Sequence, residues 1–120
     1  MSSFTFSRIR FNTKADNALR TLAGRTGLRA NVLCRIALAC SLALPDPPPE
    51  VDESDMSTRE INRHTLFGDT ESLFYTLLAN EGSGSDLPSY CIEHIHRGIY
   101  QLLRKLSTVR KVSDISCNYP

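Results

Sequence analysis

The sequence predicts a mainly α fold, a small four-helix domain with one short N-terminal β-strand, and three observations lead there. Apolar residues recur at helical spacing in four separate stretches, which is the signature of helices with one buried face. A single alternating run, FTFSRIRF at residues 4–11, precedes the first of them. With 120 residues and 41% apolar content, the chain can build one core and is too short for two of ordinary size. The expected layout is one domain over residues 1–106, with a tail over 107–120 in which the apolar pattern fades.

The strand ends at Asn12 and Thr13 opens the first helix. The spacing from Thr13 to Asp16 is that of a capping box, and Asp16 also suits the positive end of the helix dipole. Ala15, Ala18, Leu19, Leu22 and Ala23 mark the buried face, while Lys14, Asn17, Thr21 and Arg25 fall opposite, with Arg20 on the flank. Gly27 is placed to end the helix in a left-handed conformation, followed by the apolar Leu28.

The second helix, about Ala30 to Leu44, is apolar nearly all round, with Asn31, Arg35 and Ser41 as its polar positions. Such a helix needs cover on most sides, so it is either the centre of the core or part of an oligomer interface. Arg35 is too costly to bury alone and must pair, reach solvent or face a phosphate.

Pro45 stops that helix. The stretch 44–62 reads as a proline-rich acidic connector inside the domain, an exposed extended loop without a regular core element. The alternative is that its carboxylates fold back on the basic face and compete there with a polyanion. A third helix is expected over Asp69–Asn80, with Asp69 as N-cap and Leu73, Phe74, Leu77 and Leu78 as its apolar stripe. NEGSGSD is a turn or loop, and the last helix begins near Asp86 and Leu87, with Pro88 where its missing N–H does no harm. Cys91, Ile92, Ile95, Ile99, Leu102, Leu103 and Leu106 form its long buried stripe, and Glu93 and Arg97 are spaced to pair on the surface.

The net charge of +1 hides a strong segregation. Residues 1–43 hold seven Lys and Arg against one Asp, residues 44–86 hold two against ten acids, and residues 87–120 hold five against two. A basic N-terminal segment is the electrostatic footprint expected for a polyanion partner. The absence of a signal-peptide pattern and of an apolar run near 20 residues predicts a soluble cytoplasmic protein with no membrane partner. Cys34, Cys40, Cys91 and Cys117 have no metal-binding spacing and read as buried free thiols.

Catalytic chemistry finds little support. His94 and His96 point about 200° apart on a helix and cannot share an ion; one is expected in the core and one at the surface. There is no nucleophile elbow, Cys/His signature or Gly-rich phosphate loop, and the carboxylates cluster in the connector. The expectation is no catalytic residue, no metal and no cofactor. DNA binding is better supported: Lys14, Arg20, Arg25 and Arg29 lie on or just after the first helix, Arg8 and Arg10 on the strand, and Thr13, Asn17 and Thr21 add neutral hydrogen bonds.

The order strand, helix, Gly-turn, helix over the first third resembles a ribbon-helix-helix domain, which would make Arg8 and Arg10 base readers and the protein a transcription regulator. A closer resemblance covers about residues 8–104. RIRFNTKADNALRTLAGRTGL, NVLCRIALACSL, the proline-rich break, TLFGD followed by LFYTLL, and HIHRGI at His94–Ile99 together look like DndE, the small subunit of the DNA phosphorothioate modification system. That resemblance implies an accessory protein of the machinery that puts sulfur into the DNA backbone, beside a cysteine desulfurase, an iron–sulfur reductase-like protein and an ATPase. It also implies binding of nicked double-stranded DNA through basic residues of the first helix, and a homo-oligomer, with a tetramer favoured. By position Lys14, Arg20 and Arg25 are the matching residues. The family commonly has a lysine near the place where this chain has Ala23 or Gly24, which puts more weight on Arg20 and Arg25. A non-DNA-binding structural adaptor and a DNA-nicking enzyme are the remaining alternatives. HIHRGI is read as holding the last helix against the first two, with Gly98 allowing close approach and Arg97 anchoring a carboxylate.

Overall fold

The structure is a computed structural model that describes residues 4–81 and 86–106. The alternation of Arg8 and Arg10 with Ile9 and Phe11 produces strand β1, Arg8–Asn12, whose apolar members are buried. It pairs antiparallel with β2, Met56–Asn62, placing Ile9 opposite Ile61 and Arg10 opposite Glu60, with a register shift between Arg10 and Asn12. The connector expected over 44–62 therefore contains a regular element. Density of acids and prolines upstream hides the short alternation of MSTREI, which becomes a strand once Ile61 finds Ile9 across the ladder.

Helix α1, Thr13–Thr26, follows β1 directly. Its N-cap is Asn12 rather than Thr13: the Asn12 side chain accepts a hydrogen bond from the Ala15 N–H at 2.8 Å. Thr13 instead donates its hydroxyl to Asp55, at 2.9 Å. The helix ends as expected at Gly27, at φ 76°. Helix α2, Ala30–Leu42, stops two residues short of the expected end, three residues before Pro45. Arg35 resolves its burial problem by donating to the carbonyls of Leu66 and Thr65, at 2.6 and 3.1 Å. Those carbonyls belong to a short helix not foreseen, α3, Arg63–Phe67, and Arg35 so caps its negative end.

A 3-10 turn, Gly68–Thr70, leads into α4, Glu71–Asn80, so Asp69 lies in the turn and is not the cap. Of the expected stripe, Phe74 and Leu78 are buried whereas Leu73 and Leu77 are 57% and 43% exposed. The last helix, α5, spans Leu87–Leu106. Its Cys91, Ile95, Ile99, Leu102 and Leu106 join the single core, against Leu33, Cys34, Ala37 and Leu38 of α2 and Leu19 and Leu22 of α1. Cys34 and Cys91 are buried free thiols as expected, and burial pushes the Cys34 thiol up to about 12. Cys40 departs from the expectation, being disulfide-bonded. Cys117 and the expected tail lie outside the described residues.

HIHRGI is where α5 is fastened to everything else. A Cβ added at Gly98 would stand 1.9 Å from the Ala37 carbonyl oxygen, so the two helix backbones touch there. Both histidines are buried; neither is at the surface. His94 Nδ1 lies 2.7 Å from the Ser41 hydroxyl, and its Nε2 3.1 Å from a Glu81 carboxylate oxygen. His96 Nε2 accepts from the Asn12 N–H at 3.3 Å, while its Nδ1 reaches the Ile92 carbonyl at 2.9 Å. Burial holds both imidazoles below the usual histidine range, which favours the neutral ring that His96 needs in order to accept from Asn12. Arg97 does not pair with Glu93. It donates to the hydroxyl and carbonyl of Ser41, at 2.8 and 2.9 Å, and to the Asp46 carbonyl at 2.8 Å, tying α5 to the end of α2 and to the connector.

The prediction is direct. Gly98→Ala must push α5 off α2, because the obstructing atom is backbone and cannot rotate away. It should lower stability by about 3 kcal/mol in urea unfolding, the upper part of the usual range for overpacking. Unchanged stability would contradict the close contact.

Candidate nucleic-acid interface

The site is built on α1. One face carries Ala15, Ala18, Leu19 and Leu22 into the core, so the opposite face must be exposed, and Lys14, Asn17, Thr21 and Arg25 stand along it. From Lys14 to Arg25 the helix rises about 16 Å, commensurate with several phosphates of one duplex strand. Arg29, also exposed, follows as the N-cap residue of α2. Between Thr21 and Arg25 the surface is bare: Gly24 is exposed, and a Cβ there would meet nothing within 4 Å. The Thr21 hydroxyl donates to the Asn17 carbonyl at 3.1 Å, so its oxygen can still accept.

The basic residues differ sharply in what already holds them. Arg8 and Arg10 project from β1 and share one counter-ion, Glu60 on β2, at 3.0 and 3.8 Å. Arg20 pairs with Asp16 at 3.3 Å, one helical turn back. Lys14 lies over the Tyr100 ring, its Nζ 4.8 Å from the centroid, a cation–π contact with α5. Arg25 and Arg29 make no ion pair among the described residues. Positive charge with no ion-pair partner among the described residues is thus concentrated where α1 ends and α2 begins.

Asp16 is the residue that sequence reasoning placed least well. It is buried, and besides Arg20 it accepts from the Arg59 guanidinium and from the Ser57 hydroxyl, both on β2. Burial pushes its carboxyl up, but the hydrogen bonds from Ser57 and Arg59, with the charges of Arg59 and Arg20, outweigh that and hold it below the usual carboxylate range. A carboxylate on the core-facing side of an amphipathic helix was the available signal; the alternation that puts Ser57 and Arg59 on one side of a strand was the other. This buried ion pair fixes the orientation of α1 against the sheet, and with it the direction in which Lys14, Thr21 and Arg25 point.

At the other end of α1 a cavity of about 480 Å³ opens between Lys14, Tyr100, Arg97 and Arg104 and the connector residues Pro49–Asp52 and Asp55. No group of three or more His, Cys, Asp and Glu side chains able to hold a metal ion occurs among the described residues, and no helix among them is long and apolar enough to cross a membrane.

The Asp16 cluster generates a pH prediction. Since the folded pKa is lowered, the stability it contributes is fully present above the unfolded carboxylate value of about 3.9 and is lost as the pH falls through the folded value. Asp16→Asn should flatten the acid limb of stability against pH. Arg59→Ala, which takes from a buried carboxylate its less exposed charge partner, should cost about 3 kcal/mol at pH 7, and Arg20→Ala, at an exposed partner, under about 1 kcal/mol. An Asp16→Asn profile that superimposes on the parent would refute this.

The fold and its sequence have clear relatives. DndE, described as "DNA sulphur modification protein DndE", matches residues 8–110. A crystal structure of DndE from Escherichia coli B7A, involved in DNA phosphorothioation modification, superposes with a TM-score of 0.67 at 19% identity, covering 83% of this chain and 99% of that one. A DndE mutant with glycines replaced by lysine, likewise involved in DNA phosphorothioation, superposes with a TM-score of 0.68 at 16% identity over the same shares. No curated protein matches by sequence. A family match over residues 8–110 of 120 leaves one conclusion: the chain belongs to the DndE family of DNA sulphur modification proteins.

Proposed function

We propose that this protein is a non-catalytic, DNA-binding accessory subunit of DNA phosphorothioation that holds nicked duplex DNA by its backbone. Its partners on this reading are the cysteine desulfurase, the iron–sulfur reductase-like protein and the ATPase of the modification machinery. The observation that carries the reading is the unbalanced charge of Arg25 and Arg29 beside the bare surface at Gly24, in line with Thr21 and Asn17. Such a surface offers phosphate contacts and few side chains long enough to read base edges, so the expected binding is strongly salt-dependent and weakly sequence-dependent. Arg20 is the next contributor and can leave Asp16 for a phosphate, because Arg59 and Ser57 keep that carboxylate satisfied. Arg8 and Arg10 rank lower, being neutralised in part by Glu60.

A ribbon-helix-helix regulator pairs its β1 with a second subunit's β1, whereas here one edge of β1 is taken by β2 of the same chain and only the other edge is left for such pairing. A second reading, an adaptor that touches no DNA, draws on Leu73 and Leu77, whose side chains stand in solvent on α4. The same two leucines support self-association, which we propose as a homo-oligomer.

Gel-shift titration with nicked, intact and single-stranded DNA across salt concentrations separates these readings. Arg25→Ala with Arg29→Ala should weaken binding to nicked duplex at least tenfold at low salt and reduce the salt slope by about 2. Wild-type binding that the double variant leaves unchanged would remove the assignment of this face, and absence of wild-type binding would leave the adaptor.

A further inference from the structure

We propose that the acidic segment from Asp46 to Asp55 is an autoinhibitory strap that keeps a polyanion off the Lys14 end of α1. The proposal rests on the reading of α1 as a polyanion-binding face and concerns how much of that face is available at once. Three acidic residues of the strap, Glu50, Asp52 and Asp55, line the same cavity as Lys14, the cation of α1 that would otherwise face a phosphate there. Lys14 forms no ion pair with any of them, so the strap acts on Lys14 through the field across the cavity rather than by contact.

The tethering is concentrated at the two ends and leaves the middle weakly held. At one end Arg97 donates to the Asp46 carbonyl at 2.8 Å. At the other, Asp55 accepts from the Thr13 N–H through its carbonyl at 2.8 Å and from the Thr13 hydroxyl through its carboxylate, and Asn12 donates to the Asp52 carbonyl at 3.1 Å. Between these points Pro47, Pro49 and Glu50 are exposed, and only Pro48 is buried. Prolines have no N–H to anchor and keep the segment extended, so the strap can lift between its ends without breaking a helix or a strand. Its like charges, together with Glu93 on α5, whose carboxyl burial and the neighbouring Glu50 and Asp86 hold above its usual range, favour lifting as soon as a phosphate approaches Lys14. The two ends of α1 then differ: Arg25 and Arg29 are open from the start, and Lys14 is reached second.

The test is a double-mutant cycle on binding of a nicked duplex. Glu50→Gln with Asp52→Asn removes two charges and keeps the Asp52 side-chain oxygen that accepts from Ser54. These substitutions should tighten binding roughly fivefold at low salt and steepen the salt slope by about 0.9, as one phosphate contact is added. In a Lys14→Ala background the same pair should gain less than twofold. An equal gain with and without Lys14 overturns the strap and means only a general change of net charge, and no gain overturns it as well. If Arg25→Ala with Arg29→Ala has no effect either, it is the underlying assignment of α1 that fails; if that variant weakens binding while the strap variant does nothing, only the strap fails. Thermal unfolding of each variant confirms that affinity is compared between folded proteins.

Discussion

The contact between Gly98 and Ala37 is the constraint on which the rest of the molecule depends. It brings the backbone of α5 against that of α2, and only at that separation can Arg97 reach both the hydroxyl and the carbonyl of Ser41 while His94 meets the same hydroxyl. Two turns of α5 are thereby set in rotation as well as distance. His96 then falls beneath Asn12, and Tyr100 reaches the Asn12 side chain at 3.2 Å. Asn12 ends β1, caps α1 and holds Asp52, so the position of the basic helix is set by a chain of contacts that begins at one missing Cβ.

Electrostatics complete what packing begins. A buried carboxylate is tolerable only when paired and hydrogen-bonded, and Asp16 obtains both from β2 and from Arg20. This arrangement removes one acid from the surface of α1 without leaving it free to neutralise its neighbours. The molecule then sorts its charge by position: Glu60 answers Arg8 and Arg10 on the ribbon, Glu50, Asp52 and Asp55 line a cavity with Lys14, and Arg25 and Arg29 have no ion-pair partner among the described residues. A net charge of +1 would suggest none of this.

Much of the fold was legible because it is written in local periodicity. The α1 face, the Gly27 stop, the apolar α2 and the buried stripe of α5 all follow from spacing that a helix imposes on its own residues. What escaped depends on partners distant in sequence. β2 is a strand because Ile61 meets Ile9, 52 positions earlier, and an acidic proline-rich context masks it. Leu73 and Leu77 carry the same helical signal as Phe74 and Leu78, and only the placement of α4 decides which pair is covered. Both histidines could be placed on a helix, but that both are buried depends on Ser41 and Asn12 waiting opposite. The candidate site divides in the same way: its members were readable one by one, whereas their counter-ions, and so the ranking of Arg25 and Arg29 above Arg8 and Arg10, needed three dimensions.

The central claim is that the junction of α1 and α2 is the surface that meets DNA. Backbone amide chemical shifts, followed by NMR as a nicked duplex is titrated into the labelled protein at low salt, test it most directly. The account predicts that the largest changes fall on Thr21 to Arg29, with smaller ones at Lys14 and Asn17. Changes centred instead on Arg8 and Arg10 of β1, or on Leu73 and Leu77 of α4, with Thr21 to Arg29 unmoved, would contradict it.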